Sequence, residues 1–144
     1  MTALTSYLKE EASAIALSSK RLSNHEVEKS LEILSNCYKK KGKVVVTGVG
    51  KSGIVGRKIA ATFSSIGLMS IYLNPLDALH GDIGILSEND VTLILSNSGE
   101  THEIVKMIPH IERRGSKIIG ILGNKKSKLA KYCYAFLDGS VDKE

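Results

Sequence analysis

Lys43-Val44-Val45-Val46-Thr47-Gly48-Val49-Gly50-Lys51-Ser52-Gly53 joins an apolar, β-branched run to a glycine-rich turn. Three successive valines read as a short strand buried on both faces, and the glycines mark a tight exit from it. Ile59, Ala60, Phe63 and Ile66 then recur at helical spacing until Gly67, and residues 70–73 form the next apolar run, which completes a βαβ unit. Downstream, residues 91–95 read as a third strand, 101–114 as a helix, 117–122 as a fourth strand, 127–132 as a short helix and 135–137 as a last strand. Apolar strands alternating with helices specify a parallel sheet covered on both faces. The expected fold class is therefore α/β, a three-layer, doubly wound sandwich with a mostly parallel five-stranded sheet.

Upstream of this unit, Leu4, Leu8, Ile15 and Leu22, with Ala12 and Ala16 between them, predict a helix over residues 3–20. Ser23 followed by Glu26 has the form of a capping box, and Val27, Leu31, Leu34 and Tyr38 mark one face of a second helix that Gly42 stops. The organisation expected is one domain over 1–144, with leading helices in 1–41 and the α/β core in 42–144. No repeat, low-complexity tract or linker interrupts it.

Composition narrows the function classes. At 144 residues the chain has the length of one ordinary domain, and its 42% hydrophobic and 24% charged residues are those of a globular protein. The net charge of +5 favours anionic partners in general. Much of the excess sits in two clusters, Lys39, Lys40, Lys41 with Lys43, and Lys125, Lys126, Lys128 with Lys131, which read most simply as solvated helix ends and loops. With no Trp and only two Phe there are few faces for stacking bases, so no nucleic-acid partner is expected. Cys37 and Cys133 have neither disulfide-framework nor zinc spacing and read as reduced thiols, and no metal is expected. No apolar run approaches the ~20 residues of a membrane span, so no membrane partner and a cytoplasmic location are expected.

In open α/β sheets ligands bind beyond the carboxyl ends of the strands, which directs attention to the loops after Thr47, Asn74, Leu95 and Leu122. The first loop matches GxGxxG, but the second strand ends in Asn74-Pro75 where a dinucleotide site wants an acid, and Asp77 lies past the turn. A Walker loop fails as well, because Val45 stands where the leading glycine belongs. What survives is the chemistry common to both, exposed backbone N–H groups at a helix start suited to an anion. The loop after the third strand, Ser96-Asn97-Ser98-Gly99-Glu100-Thr101, offers three hydroxyls and an amide at another helix start, which suits phosphate oxygens. After the second strand, His80-Gly81-Asp82 sets an easily titrated ring beside an acid.

These three segments together, with Ile54-Val55-Gly56-Arg57-Lys58 after the first, resemble the sugar isomerase (SIS) domain family, and within it the arabinose-5-phosphate isomerases. The resemblance covers roughly residues 40–144 and implies a flavodoxin-like fold. It implies a phosphorylated pentose as substrate, held through Gly50, Ser52, Ser96, Asn97, Ser98 and Thr101. It also implies an active site at Lys51, His80, Glu100 and Glu144, interconversion of ribulose 5-phosphate and arabinose 5-phosphate, no cofactor, and a homodimer or homotetramer.

Such a reaction needs a base beside the carbonyl, for which Glu100 and Glu144 are the candidates. It also needs an electrophile for the enediolate oxygen, for which Lys51 is the candidate, and a proton carrier, for which His80 is the candidate. The chain stops at Asp142-Lys143-Glu144, where the isomerases continue through further helices and CBS modules, so a truncated catalytic portion or a non-catalytic binding module is the alternative expectation.

Overall fold

The computed structural model describes residues 2–142, and Glu144, one of the candidate bases, lies outside the described residues. The leading helices are α1 (Ala3–Arg21) and α2 (Asn24–Lys39), capped by the side chains of Thr2 and Ser23. The Ser23 hydroxyl accepts from the Glu26 N–H, half of the anticipated capping box. The core then alternates through β1 (Val44–Gly48), α3 (Lys51–Ser65), β2 (Ser70–Tyr72), α4 (Pro75–Leu79), β3 (Val91–Ser96), α5 (His102–Arg113), β4 (Lys117–Leu122) and β5 (Ala135–Asp138). A 3₁₀ turn at Asp82–Ile85 follows α4, and another at Leu129–Tyr132 stands where the sequence predicts a short helix. The sequence reading contains neither α4 nor the first 3₁₀ turn. With five and four residues they are too short to show an amphipathic period.

The five strands run β2-β1-β3-β4-β5, and every pairing is parallel, so the sheet is wholly rather than mostly parallel. This 2-1-3-4-5 order places the reversal of chain direction between β1 and β3. Each sheet face carries its own core. On one face, Val44, Val46, Leu93, Leu95 and Ile119 pack with Ile33 and Cys37 of α2 and Ala60 of α3. On the other, Val45, Ile94, Ile118 and Leu122 pack with Ile104, Met107, Ile108 and Ile111 of α5. Alternate residues of one strand thus serve opposite cores, which is why β1 and β3 are buried throughout and mostly apolar.

Two polar details fasten the frame. At the amino ends of the strands, the buried Asp90 carboxylate accepts from the Lys43 N–H at 2.9 Å and the Ser87 N–H at 2.8 Å, and pairs with Lys43 Nζ at 2.5 Å. At the edge of the sheet, the β5 amide of Phe136 donates to the Glu26 carboxylate of α2 at 2.7 Å. Helix α1 is different in kind, because it buries no residue. Its predicted stripe lies in the open, with Leu4 68%, Leu8 62%, Ile15 70% and Leu22 40% exposed.

Candidate functional site

Two helix starts face the carboxyl edge of the sheet on either side of the switch point, and neither has a side-chain cap. Gly50 precedes α3 with φ +60°, a backbone turn that a side chain would strain. The first amides of α3 to find carbonyl partners are those of Gly53 and Ile54, so the turn before them presents donors outward. Thr101 likewise precedes α5 without capping it. The starts of α1, α2 and α4 are all capped by side chains. The glycine turn is braced from below by the Tyr72 hydroxyl, which donates to the Gly48 carbonyl at 2.6 Å, and Arg57 lies 4.1 Å over that ring.

A cavity of about 450 Å³ opens at this edge, and it brings together Lys51 and Ser52 from the first loop with Ser96 and Asn97 from the loop after β3. Its other walls are Val55 of α3, Ile121, Leu122 and Gly123 at the end of β4, and Gly139 and Val141 after β5. Sequence reasoning missed these wall residues individually. The loop after Leu122 was the available signal for the β4 side, whereas nothing in residues 139–141 distinguishes them from a tail.

The remaining phosphate candidates stand outside the cavity lining. Thr101 Oγ1 is hydrogen-bonded to Ser96 Oγ at 2.8 Å, and Ser96 Oγ accepts from the Gly99 N–H at 3.1 Å. Ser98 Oγ accepts from the Glu100 N–H at 3.1 Å. These hydroxyls therefore shape the loop. Gly50 lines a smaller neighbouring cavity of about 100 Å³ with Asn74 and Glu103.

Glu100 is engaged with the segment after β4. Its Oε1 accepts from the Lys128 N–H at 2.8 Å, and its Oε2 lies 3.3 Å from Lys128 Nζ. The backbone hydrogen bond from Lys128, aided by that ammonium and by Lys131, holds the Glu100 carboxyl below the usual range. Beside it, Gly99 has φ +65°, and a Cβ there would fall 2.0 Å from Ser127 Oγ, so this turn admits only glycine. His80 ends α4 in an exposed position outside the cavity. Of the three catalytic candidates among the described residues, Lys51, His80 and Glu100, the cavity is lined by Lys51 alone.

The cysteines are free. Burial pushes the Cys133 thiol up to about 12, with Glu26 adding to the effect, and burial with the nearby Asp90 charge also raises Cys37. Among the described residues no group of His, Cys, Asp and Glu could hold a metal ion, and no helix is long and apolar enough to cross a membrane.

The sequence model of the SIS domain matches residues 37–143. The chain belongs to the SIS domain family. Among curated relatives, arabinose 5-phosphate isomerase KpsF of Escherichia coli O6:H1 is 40% identical over 138 residues, covering 96% of this SIS chain and 41% of the relative. Arabinose 5-phosphate isomerase KdsD of Pseudomonas aeruginosa is 52% identical over 104 residues, 72% of this chain and 32% of the relative. The chain thus spans about two-fifths of the length of the first of these relatives and a third of the second. Among solved structures, an Escherichia coli CFT073 protein in complex with arabinose 5-phosphate is 34% identical with a TM-score of 0.82, covering 100% of this chain and 78% of that one.

Proposed function

We propose that this chain carries the sugar-phosphate site of an aldose–ketose isomerase that interconverts D-ribulose 5-phosphate and D-arabinose 5-phosphate through an enediolate. The observation that carries the reading is the convergence of Lys51, Ser52, Ser96 and Asn97 on one cavity at the switch point, between two helix starts without side-chain caps. The phosphate sits against Ser52, Ser96 and Asn97, with Gly50, Ser98 and Thr101 shaping the loops that hold it. Lys51 meets the developing enediolate oxygen. The similarity to arabinose 5-phosphate isomerases and to a protein solved with arabinose 5-phosphate supports this substrate class.

In this reading residues 1–144 act as one cytoplasmic unit, and copies associate as a homodimer or homotetramer through the uncovered stripe of α1. A coupled assay that converts ribulose 5-phosphate to arabinose 5-phosphate tests it, with turnover by the chain as the expected result.

A second reading, a binding module without catalysis, is favoured by two features: the Glu100 carboxylate is turned to Lys128, and His80 stands outside the cavity. Tight binding of arabinose 5-phosphate by calorimetry, with no turnover, would select it.

A further inference from the structure

We infer that Arg21, at the end of α1, is a positioning residue for the cavity, holding in place the wall formed by the segment after β5. The inference rests on the reading above, in which the cavity takes a sugar phosphate.

Val141 has a cavity on each side. It lines the 450 Å³ cavity together with Gly139, and it also lines a groove of about 400 Å³ along α1 beside Leu17 and Arg21. It is a partition between them. Up to Ser140 the segment is tied by its own surroundings: the Gly139 N–H donates to the Leu122 carbonyl at 2.9 Å, and the Ser140 N–H donates to Asp138 Oδ1 at 2.9 Å. Past that point Arg21 supplies the hold. Its Nη1 donates to the Ser140 carbonyl at 2.8 Å, and its Nη2 pairs with Asp142 Oδ1 at 2.5 Å.

These two contacts bracket Val141 on either side in sequence. A guanidinium suits this task, because its rigid planar fork sends two donors to two acceptors at a fixed angle, which a lysine cannot do. Arg21 itself sits on a helix with no buried residue, so its side chain can be changed without opening either core. The phosphate candidates Ser52, Ser96 and Asn97 lie on other walls of the cavity. Arg21 therefore bears on the sugar end of a bound substrate and leaves the phosphate end alone.

The test compares Arg21→Ala and Arg21→Lys with the parent chain, using inorganic phosphate and arabinose 5-phosphate as probes and amide hydrogen exchange at Gly139 and Ser140, whose N–H groups are hydrogen-bonded, as an independent readout. The expected result for Arg21→Ala has three parts: roughly tenfold weaker arabinose 5-phosphate binding, with KM rising and kcat changing less than about twofold; unchanged affinity for phosphate; and faster exchange at Gly139 and Ser140. Arg21→Lys, which can satisfy one of the two acceptors, should recover part of each change. Unchanged sugar-phosphate affinity in Arg21→Ala overturns the proposal, and so does an equal loss for both probes accompanied by a lower melting temperature. If the parent binds phosphate but no arabinose 5-phosphate, the functional reading fails instead, and exchange at Gly139 and Ser140 decides the role of Arg21: equal protection in parent and variant overturns it.

Discussion

Both oxygens of the Glu100 carboxylate are held by one residue, Lys128, and these contacts hold the group below the usual glutamate range. An ionised carboxylate at the edge of the proposed sugar-phosphate site can accept a proton, so in that proposal Glu100→Gln should lower turnover by about 100-fold or more while phosphate affinity holds. The depressed pKa sets the sign of the pH dependence: the base is present above the ordinary glutamate value, and the acid limb of the kcat/KM profile falls below it. Full activity in Glu100→Gln would move the base to Glu144. At this scale the sequence picks out the loops that meet at the carboxyl edge of the sheet, and Ser52, Ser96 and Asn97 from those loops line one cavity there. It does not reveal where Glu100, Ser98 and Thr101 direct their polar atoms. The Glu100 carboxylate finds its partner in a segment after the next strand, and both hydroxyls find theirs inside their own loop. A side chain's direction in a loop is decided by such contacts, and composition carries no trace of them.

Elements end where local chemistry ends them, and α2 shows a conflict between two demands for glycine. Its end closes with the Lys41 N–H bonded to the Tyr38 carbonyl and the Gly42 N–H bonded to the Cys37 carbonyl, a Schellman arrangement that favours glycine at the first of these positions. Lys41 occupies it with φ 57°. The glycine is needed one residue later, because a Cβ on Gly42 would lie 2.0 Å from the Asn89 carbonyl oxygen. Lys41→Gly should therefore stabilise the fold by ~1 kcal/mol, measurable as a raised midpoint in urea.

The loop into β3 contributes a second element-scale term. Burial opposes the charge on Asp90, but the hydrogen bonds from Lys43 and Ser87 outweigh it and leave the carboxyl below its usual range. A depressed native pKa means the stabilisation is complete above the unfolded value near ~4 and is lost as pH falls through the native one. Asp90→Ala, which strands Lys43, should cost about 3–5 kcal/mol at pH 7, and the cost should shrink in acid. A variant equally destabilised at pH 3 and pH 7 would contradict this. All five strands and the long helices were legible from periodicity, since the two-sided core writes itself into β1, β3 and β4. The strand order was not, because pairing across the sheet leaves no local mark.

For the whole molecule, the exposed stripe of α1 is a hydrophobic demand that the described residues leave unanswered. Burying Leu4, Leu8, Ile15 and Leu22 at ~1.5–3 kcal/mol each gives roughly 6–12 kcal/mol, against an association cost of ~4–15 kcal/mol. One helix alone leaves a thin margin, so the interface should extend onto exposed Leu31 and Tyr38 of α2. Light scattering at micromolar concentration should give a multiple of the chain mass for the parent, and the double variant Leu8→Glu, Ile15→Glu should fall to the single-chain mass with its secondary structure intact. A parent of single-chain mass would show the stripe to be solvated.

Whatever the number of copies, fusion through their sheets is disfavoured at the β5 edge, where one amide already has a partner. An edge strand ordinarily presents unpaired amides that template the next strand, and from there cross-β growth can continue indefinitely. Here the Phe136 amide already donates to Glu26, a charged side chain delivered by a helix that packs along β5, while the opposite edge strand, β2, is only three residues long. The carboxylate is an end-stop. In the proposed association through α1, copies meet along that helix while the carboxylate occupies an amide at the strand edge that an open-ended fibre would need.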